Sequence, residues 1–227
     1  MPTQKAKKMW FLAGTAIAGI LLFVVFGNVP VGWNFRNILW GPAHLLLQGK
    51  SPYDVDSLFG PGVANALWMP VVIGLFCPPG FLPLQQASNL WWVLSLAGML
   101  LLTLLVMRNR DQGILFKALL VSAGLLFPLV LAHLMLGQFS IFSILIFLLV
   151  VFFRRKMPDL LSAFLVIAAS TKPQLSFLFL PGLLFHKNRT EGFQRTFRYL
   201  LKMAGVILVL LVPLFILSPG WYGDFLQ

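Results

Sequence analysis

The chain has 227 residues, 59% of them hydrophobic and 10% charged, with a mean hydropathy of +0.89. A soluble domain carries about 25% charged residues, so the composition excludes a water-soluble globular protein and points to an integral membrane one. The formal charge of +11 comes from 17 Lys and Arg against 6 Asp and Glu, but the cations are interspersed between apolar runs, which fits cytoplasmic loops and excludes a continuous nucleic-acid-binding face.

The N-terminus places Lys5-Ala6-Lys7-Lys8 before an apolar run at 9–27. That run outlasts the roughly 7–15 residues of a signal-peptide core, and no small-x-small cleavage site follows it, so the pattern predicts an uncleaved signal anchor. Residues 28–89 then form an outer loop. Trp33, Trp40 and Leu45 to Leu47 give one apolar face to a helix lying among the lipid headgroups. Arg36 projects from it toward a lipid phosphate, or simply snorkels there with no further role. Tyr53 precedes Asp54-Val55-Asp56, the D-x-D spacing with which soluble sugar transferases hold a metal and a nucleotide diphosphate. A turn is the preferred reading after Ser51-Pro52. The run 63–84 holds Pro70, Pro78, Pro79, Gly80 and Pro83, and is read as a broken, re-entrant hairpin.

Further apolar runs follow at 90–107, 114–136, 139–153, 160–171, 175–185 and 200–217. A full crossing takes roughly 20 residues, so loops flanking the three shortest runs dip below the membrane surface and line protein or water. Loop charge sets the orientation. With the clusters at 5–8, 108–117, 154–156 and 187–202 in the cytoplasm, fourteen cations lie inside and only Arg36, Lys50 and Lys172 outside. That requires the run 63–84 not to cross. The expected architecture is a single all-α integral membrane domain of about seven spans in the cytoplasmic membrane, N-terminus inside, with residues 218–227 opening a further outer loop.

This topology gathers polar islands on the outer face. Gln138, in the Gly137-Gln138 turn, has donors and acceptors suited to sugar hydroxyls or to helix–helix hydrogen bonds. His133 lies about one helical turn before Gly137 and either faces the same cavity or packs as a neutral ring. Lys172, in Ser170-Thr171-Lys172-Pro173-Gln174, is the sharpest pointer. A cation at the bilayer centre costs about 2.5–3.5 kcal/mol on insertion scales, and Pro173 ends the preceding helix. Lys172 at such a break suits an electrostatic clamp on a phosphate, against a snorkelling alternative. Cys77 stands alone, which excludes an intrachain disulfide and a thiolate metal site, and the three histidines lack ligand spacing. No cofactor is required; a divalent metal would rest on Asp54-Val55-Asp56 alone.

Four pieces in order resemble the polytopic GT-C-fold glycosyltransferases of family 87, the alpha-mannosyltransferase-like group. These are Asn34-Phe35-Arg36 through Ser51-Pro52-Tyr53-Asp54, the Pro-rich run around 69–83, the Gly137-Gln138 turn and the Lys172-Pro173-Gln174 turn. The resemblance implies sugar transfer, often of mannose, from a polyprenyl-phosphate donor to a lipid or glycan acceptor on the outer membrane face. Inversion would be a single displacement, with a carboxylate of the first outer loop as base and cations holding the departing lipid phosphate. Arg36 and Lys172 match the phosphate roles, with Tyr53, His133, Gln138 and Gln174 as further substrate contacts. Two departures stand out. Asn34 occupies the position where the family has Asp, leaving Asp54 or Asp56 as substitute base or the chain inactive. Family members are also longer, so a truncated or split protein is expected, completed by a further membrane subunit. A non-catalytic subunit that binds lipid-linked sugars is the competing reading; a flippase ranks last, because the charges sit in loops.

Overall fold

The computed structural model describes residues 13–14, 24, 32–60, 69–108, 134–153 and 156–226, and every regular element among them is helical. The signal-anchor run, apart from 13–14 and 24, lies outside the described residues, as do most of the run 114–136, His133, Arg154 and Arg155. The chain divides into two compact units, residues 1–35 with 84–138 and residues 36–83 with 139–227.

In the first unit the long helix is Leu84–Arg108. It starts six residues before the apolar run because Pro83, which cannot continue a preceding helix, sits directly ahead of it. Gln85 Nε2 donates to Asn89 Oδ1 at 3.1 Å, one turn on, so the polar first turn is internally bonded. Phe35 packs on Trp91 at 4.9 Å between ring centroids. The Gly32 amide donates to the Met135 carbonyl at 2.7 Å. Gly137 closes the helical turn before it with a φ of 69°, a left-handed conformation that favours glycine.

The second unit opens with a π-helical turn, Phe35–Trp40, that runs into α1, Gly41–Leu47. Pro42 has no amide hydrogen to return to the carbonyl four residues back, and a Cβ on Gly41 would stand 2.7 Å from the Arg36 carbonyl oxygen. Together they allow the widened turn. Short α2 is Asp56–Phe59 and α3 is Pro70–Gly80. Taking Leu84–Arg108 of the first unit as α4, the second unit continues with α5 (Ser140–Phe153), α6 (Asp159–Ala169), α7 (Pro173–Glu191), α8 (Phe193–Leu217) and α9 (Trp221–Phe225).

Helix α1 departs from the interfacial expectation. Trp40, Leu45 and Leu46 are buried, against α3. The Trp40 indole donates to the Leu82 carbonyl at 3.0 Å and His44 Nδ1 donates to the Gly80 carbonyl at 2.8 Å. Because a carbonyl only accepts, His44 carries its hydrogen on Nδ1 and its Nε2 accepts from Gln48 at 2.9 Å. The apolar face thus meets protein instead of headgroups, since α3 offers it complementary apolar surface and carbonyls that anchor its ring donors. The run 63–84, over its described part, is one helix and a turn at 81–83, with Pro78 and Pro79 in the last turn of α3.

Helices α5 to α8 reverse direction in sequence. Asp159 at the start of α6 is bonded by Lys187 near the end of α7 and by Lys202 of α8, and Phe147 stacks on Phe179 at 3.9 Å. Val150, Ala163, Val166, Ile167, Tyr199, Met203 and Val206 form the core. Packing is close where residues are small. A Cβ on Gly74 of α3 would run into the Leu210 carbonyl of α8, so glycine here lets two backbones touch, a device suited to helices in lipid. Helix α8, of 25 residues with a hydropathy of 2.7, is long and apolar enough to cross a membrane, and only 17% of its apolar window is buried in the protein. A soluble core helix would be mostly covered; this one leaves Leu208, Val209 and Ile216 exposed.

Candidate functional site

Lys172 lies at the end of the second unit opposite Asp159, in the break between α6 and α7. Its backbone is extended (φ −106°, ψ 96°) and Pro173 begins the next helix, because proline forbids the helical conformation to the residue before it. The Lys172 carbonyl accepts the Ser176 amide at 3.2 Å. Burial pushes the Lys172 ammonium down from its ordinary pKa, so the desolvated charge gains from an anion placed against it. Beside it, Thr171 is 3% exposed and its hydroxyl has no hydrogen-bond partner, a buried donor that costs stability until something accepts from it. Gln174 is exposed.

The first polar segment folds onto itself. Arg36 donates from Nε to Asn37 Oδ1 at 2.8 Å, and its guanidinium lies 4.5 Å from the centre of the Phe59 ring. Arg36 is therefore held by α2 and not extended toward a headgroup; the contact is a cation–π pair. Asn37 is 1% exposed and its Nδ2 has no partner. Asn34 is half-buried just before the π-helical turn. Asp54-Val55-Asp56 does form a turn leading into α2, with the Asp54 carbonyl accepting from the Ser57 hydroxyl at 2.7 Å. The Asp54 side chain is exposed, whereas Asp56 buries an Oδ1 with no partner. Among the described residues, no three His, Cys, Asp or Glu groups gather where a metal could be held.

Tyr53 meets the far end of the chain. Its ring lies 5.6 Å from Phe225 of α9, and its hydroxyl is buried without a partner. Burial first, and the Asp224 carboxylate second, push the Tyr53 phenol above its ordinary pKa, so it remains a protonated donor. Trp221, in the same helix, is 6% exposed and its indole nitrogen also has no partner. Aromatic faces, two orphaned donors and a carboxylate suit a polyhydroxylated ligand.

The fold thus joins Tyr53 to the 221–225 helix and sets Arg36 over α2. Gln138 belongs to the first unit and Lys172 to the second, and His133 lies outside the described residues. Thr171, Asn37, Trp221 and Asp224 were not singled out by the sequence. Their signal is tertiary: Thr171, Asn37 and Trp221 are buried without a partner, and exposed Asp224 is marked only by its charge acting on Tyr53.

No curated protein and no solved structure matches the chain. The family model described as glycosyltransferase family 87 matches residues 67–227, which include Gln138, Lys172, Gln174, Trp221 and Asp224 but not Asn34 through Asp56. With most of its length so matched, the chain belongs to glycosyltransferase family 87.

Proposed function

We propose that the protein is a membrane glycosyltransferase that moves a hexose, mannose in the first instance, from a polyprenyl-phosphate sugar to a lipid or glycan acceptor at the outer face of the cytoplasmic membrane. The observation that carries this reading is Lys172, a half-buried cation at a helix break, inside the family-matched region and next to the orphaned Thr171 hydroxyl. A lipid phosphate there accepts from the Thr171 hydroxyl and lies against the Lys172 charge, so the negative charge that grows on the departing phosphate is stabilised where water is scarce. Tyr53, Trp221 and Asp224 supply hydrogen-bonding capacity for sugar hydroxyls, Arg36 a further cation and Gln174 a further amide. Asp54 or Asp56 acts as base on the acceptor hydroxyl.

One observation favours a second reading. Asn34 occupies the resemblance's base position and an amide cannot take a proton at neutral pH, so the chain would bind lipid-linked sugars without turning them over, alone or with a complementing membrane subunit. The two readings separate in vesicles supplied with labelled polyprenyl-phosphate mannose. The enzyme reading expects transfer by the wild type, lost in Lys172→Ala and in one of Asp54→Ala or Asp56→Ala. Lys172-dependent donor binding without transfer, persisting in Asn34→Asp, establishes the binding reading instead. Donor binding that ignores Lys172 overturns both.

A further inference from the structure

A cavity of about 300 Å³ opens at the other end of the second unit, away from Lys172, between α5, α6, α7 and α8. Its apolar walls include Val150, Met157 and Leu183, and its polar lining includes Asp159, Glu191 and Lys187. Lys187 donates to Asp159 at 3.2 Å and to Glu191 at 2.9 Å, and its ammonium lies 4.8 Å from the centre of the Tyr199 ring. Lys202 takes the second oxygen of Asp159 at 2.8 Å. The cavity wall itself thus holds one ammonium, Lys187, against two carboxylates, Asp159 and Glu191, and Lys202 bonds Asp159 from outside that lining. Glu191 gives one oxygen, Oε2, to Lys187 and remains 38% exposed.

The surroundings are cationic. Among the described residues at this end, Lys156, Arg189, Arg195 and Arg198 are exposed cations with no further carboxylate on these segments. Next to them the surface turns apolar. Phe185, Phe193 and Phe197 are 69%, 74% and 50% exposed, far more aromatic surface than a face bathed in water leaves open.

We propose that this cavity is a headgroup site for an amine-bearing phospholipid, of the phosphoethanolamine class. Its ammonium enters the cavity and donates to Glu191, its phosphate rests on the cationic rim, and its acyl chains cover Phe185, Phe193 and Phe197. A headgroup with no cation can rest its phosphate on the same rim but offers Glu191 no charged donor. A quaternary choline head has the charge but no N–H to donate. A soluble phosphate compound would leave the aromatic fringe uncovered. The site needs no turnover and stands independently of the transferase reading.

The test uses the full chain in nanodiscs of phosphatidylcholine doped with phosphatidylethanolamine or phosphatidylglycerol, with native mass spectrometry reading the lipids retained. The wild type is expected to retain phosphatidylethanolamine about tenfold over either other lipid, the size of one charge-assisted hydrogen bond. Glu191→Gln abolishes that preference and Glu191→Asp keeps part of it. Arg195→Gln with Arg198→Gln lowers retention of all three lipids alike. Equal retention of the three by the wild type, preference for phosphatidylglycerol, or an ethanolamine preference that survives Glu191→Gln overturns the proposal. Should Glu191→Gln fail to fold, thermal stabilisation of the wild type by short-chain lipids reads the same preference, and equal shifts for the ethanolamine and choline forms overturn it.

Discussion

Tyr53 and Phe225 sit with ring centroids 5.6 Å apart, which closes the turn after the first polar segment onto the last described helix. Gly49 adds to the closure, lying beside the Leu217 carbonyl. Two segments more than 160 residues apart thereby share one end of the second unit, and the Tyr53 hydroxyl is left inside with no acceptor. A native protein keeps such a group where a ligand completes it or where packing leaves no choice.

Those two causes separate on substitution. Tyr53→Phe removes the orphaned hydroxyl and keeps the ring, so stability should stay level or rise by up to about 1 kcal/mol. Sugar transfer, or sugar-lipid binding, should fall about tenfold if the hydroxyl serves a ligand. Thermal unfolding and a transfer assay on one preparation read both quantities. Unchanged function would return Tyr53 to packing alone.

Lys172 yields a contrast between two substitutions. Lys172→Ala should lower transfer about 100-fold, the scale of losing one donor at a developing anion, with little change in the unfolding temperature because the side chain belongs to a turn. Lys172→Arg keeps the charge but alters shape and reach, so intermediate activity is expected. Equal loss in both variants would mean that the ammonium's compact geometry, and not its charge alone, is required.

Gly74 supports the packing of α3 on α8, where a Cβ has no room beside the Leu210 carbonyl. Gly74→Ala should destabilise by about 1–3 kcal/mol, the range seen for overpacking, and Gly74→Val by more. Alanine would be the better residue in an unconstrained helix by roughly 1 kcal/mol, so even a neutral result would reveal strain. The unfolding midpoint in detergent measures it.

Asp159 sets a pH dependence. Hydrogen bonding to Lys202, and then to Lys187, outweighs desolvation and lowers its carboxyl pKa from the model-peptide value of 3.8. A depressed folded-state pKa stabilises at pH values above the unfolded one, and that contribution disappears as the pH falls through the folded value. Stability should therefore drop below about pH 4, by about 1 kcal/mol or less, since the pair is 41% exposed and solvent screens it. Asp159→Asn should remove the acid-dependent drop attributable to this network. Thermal unfolding at pH 3, 5 and 7, roughly spanning that window, gives the comparison.

The helical class and the apolar stretches were legible because nearly every run is bounded by charge or proline. Helices α5 and α6 fall within a residue or two of the runs 139–153 and 160–171. Helices α7 and α8 extend well past theirs, to Glu191 and back to Phe193. Polar residues such as Lys187, Arg195 and Arg198 end a hydropathy run without ending a helix, and Gly192, with a φ of 86°, makes the break between the two. The first polar segment was less legible. Of its expected apolar face, Trp40, Leu45 and Leu46 are buried while Trp33 is exposed, and nothing local says whether such a face meets lipid or protein.

The sequence by itself determined the membrane class, the family and the break at Lys172, since composition, motif order and proline act locally along the chain. Tertiary structure alone decided that Arg36 lies over Phe59 and that α1 is buried on α3. It also decided that Tyr53 meets α9, and that Asp159 carries two lysines beside a cavity. These facts depend on distance between residues far apart in the chain and on which polar atoms are left without partners. Neither quantity exists until the helices have packed.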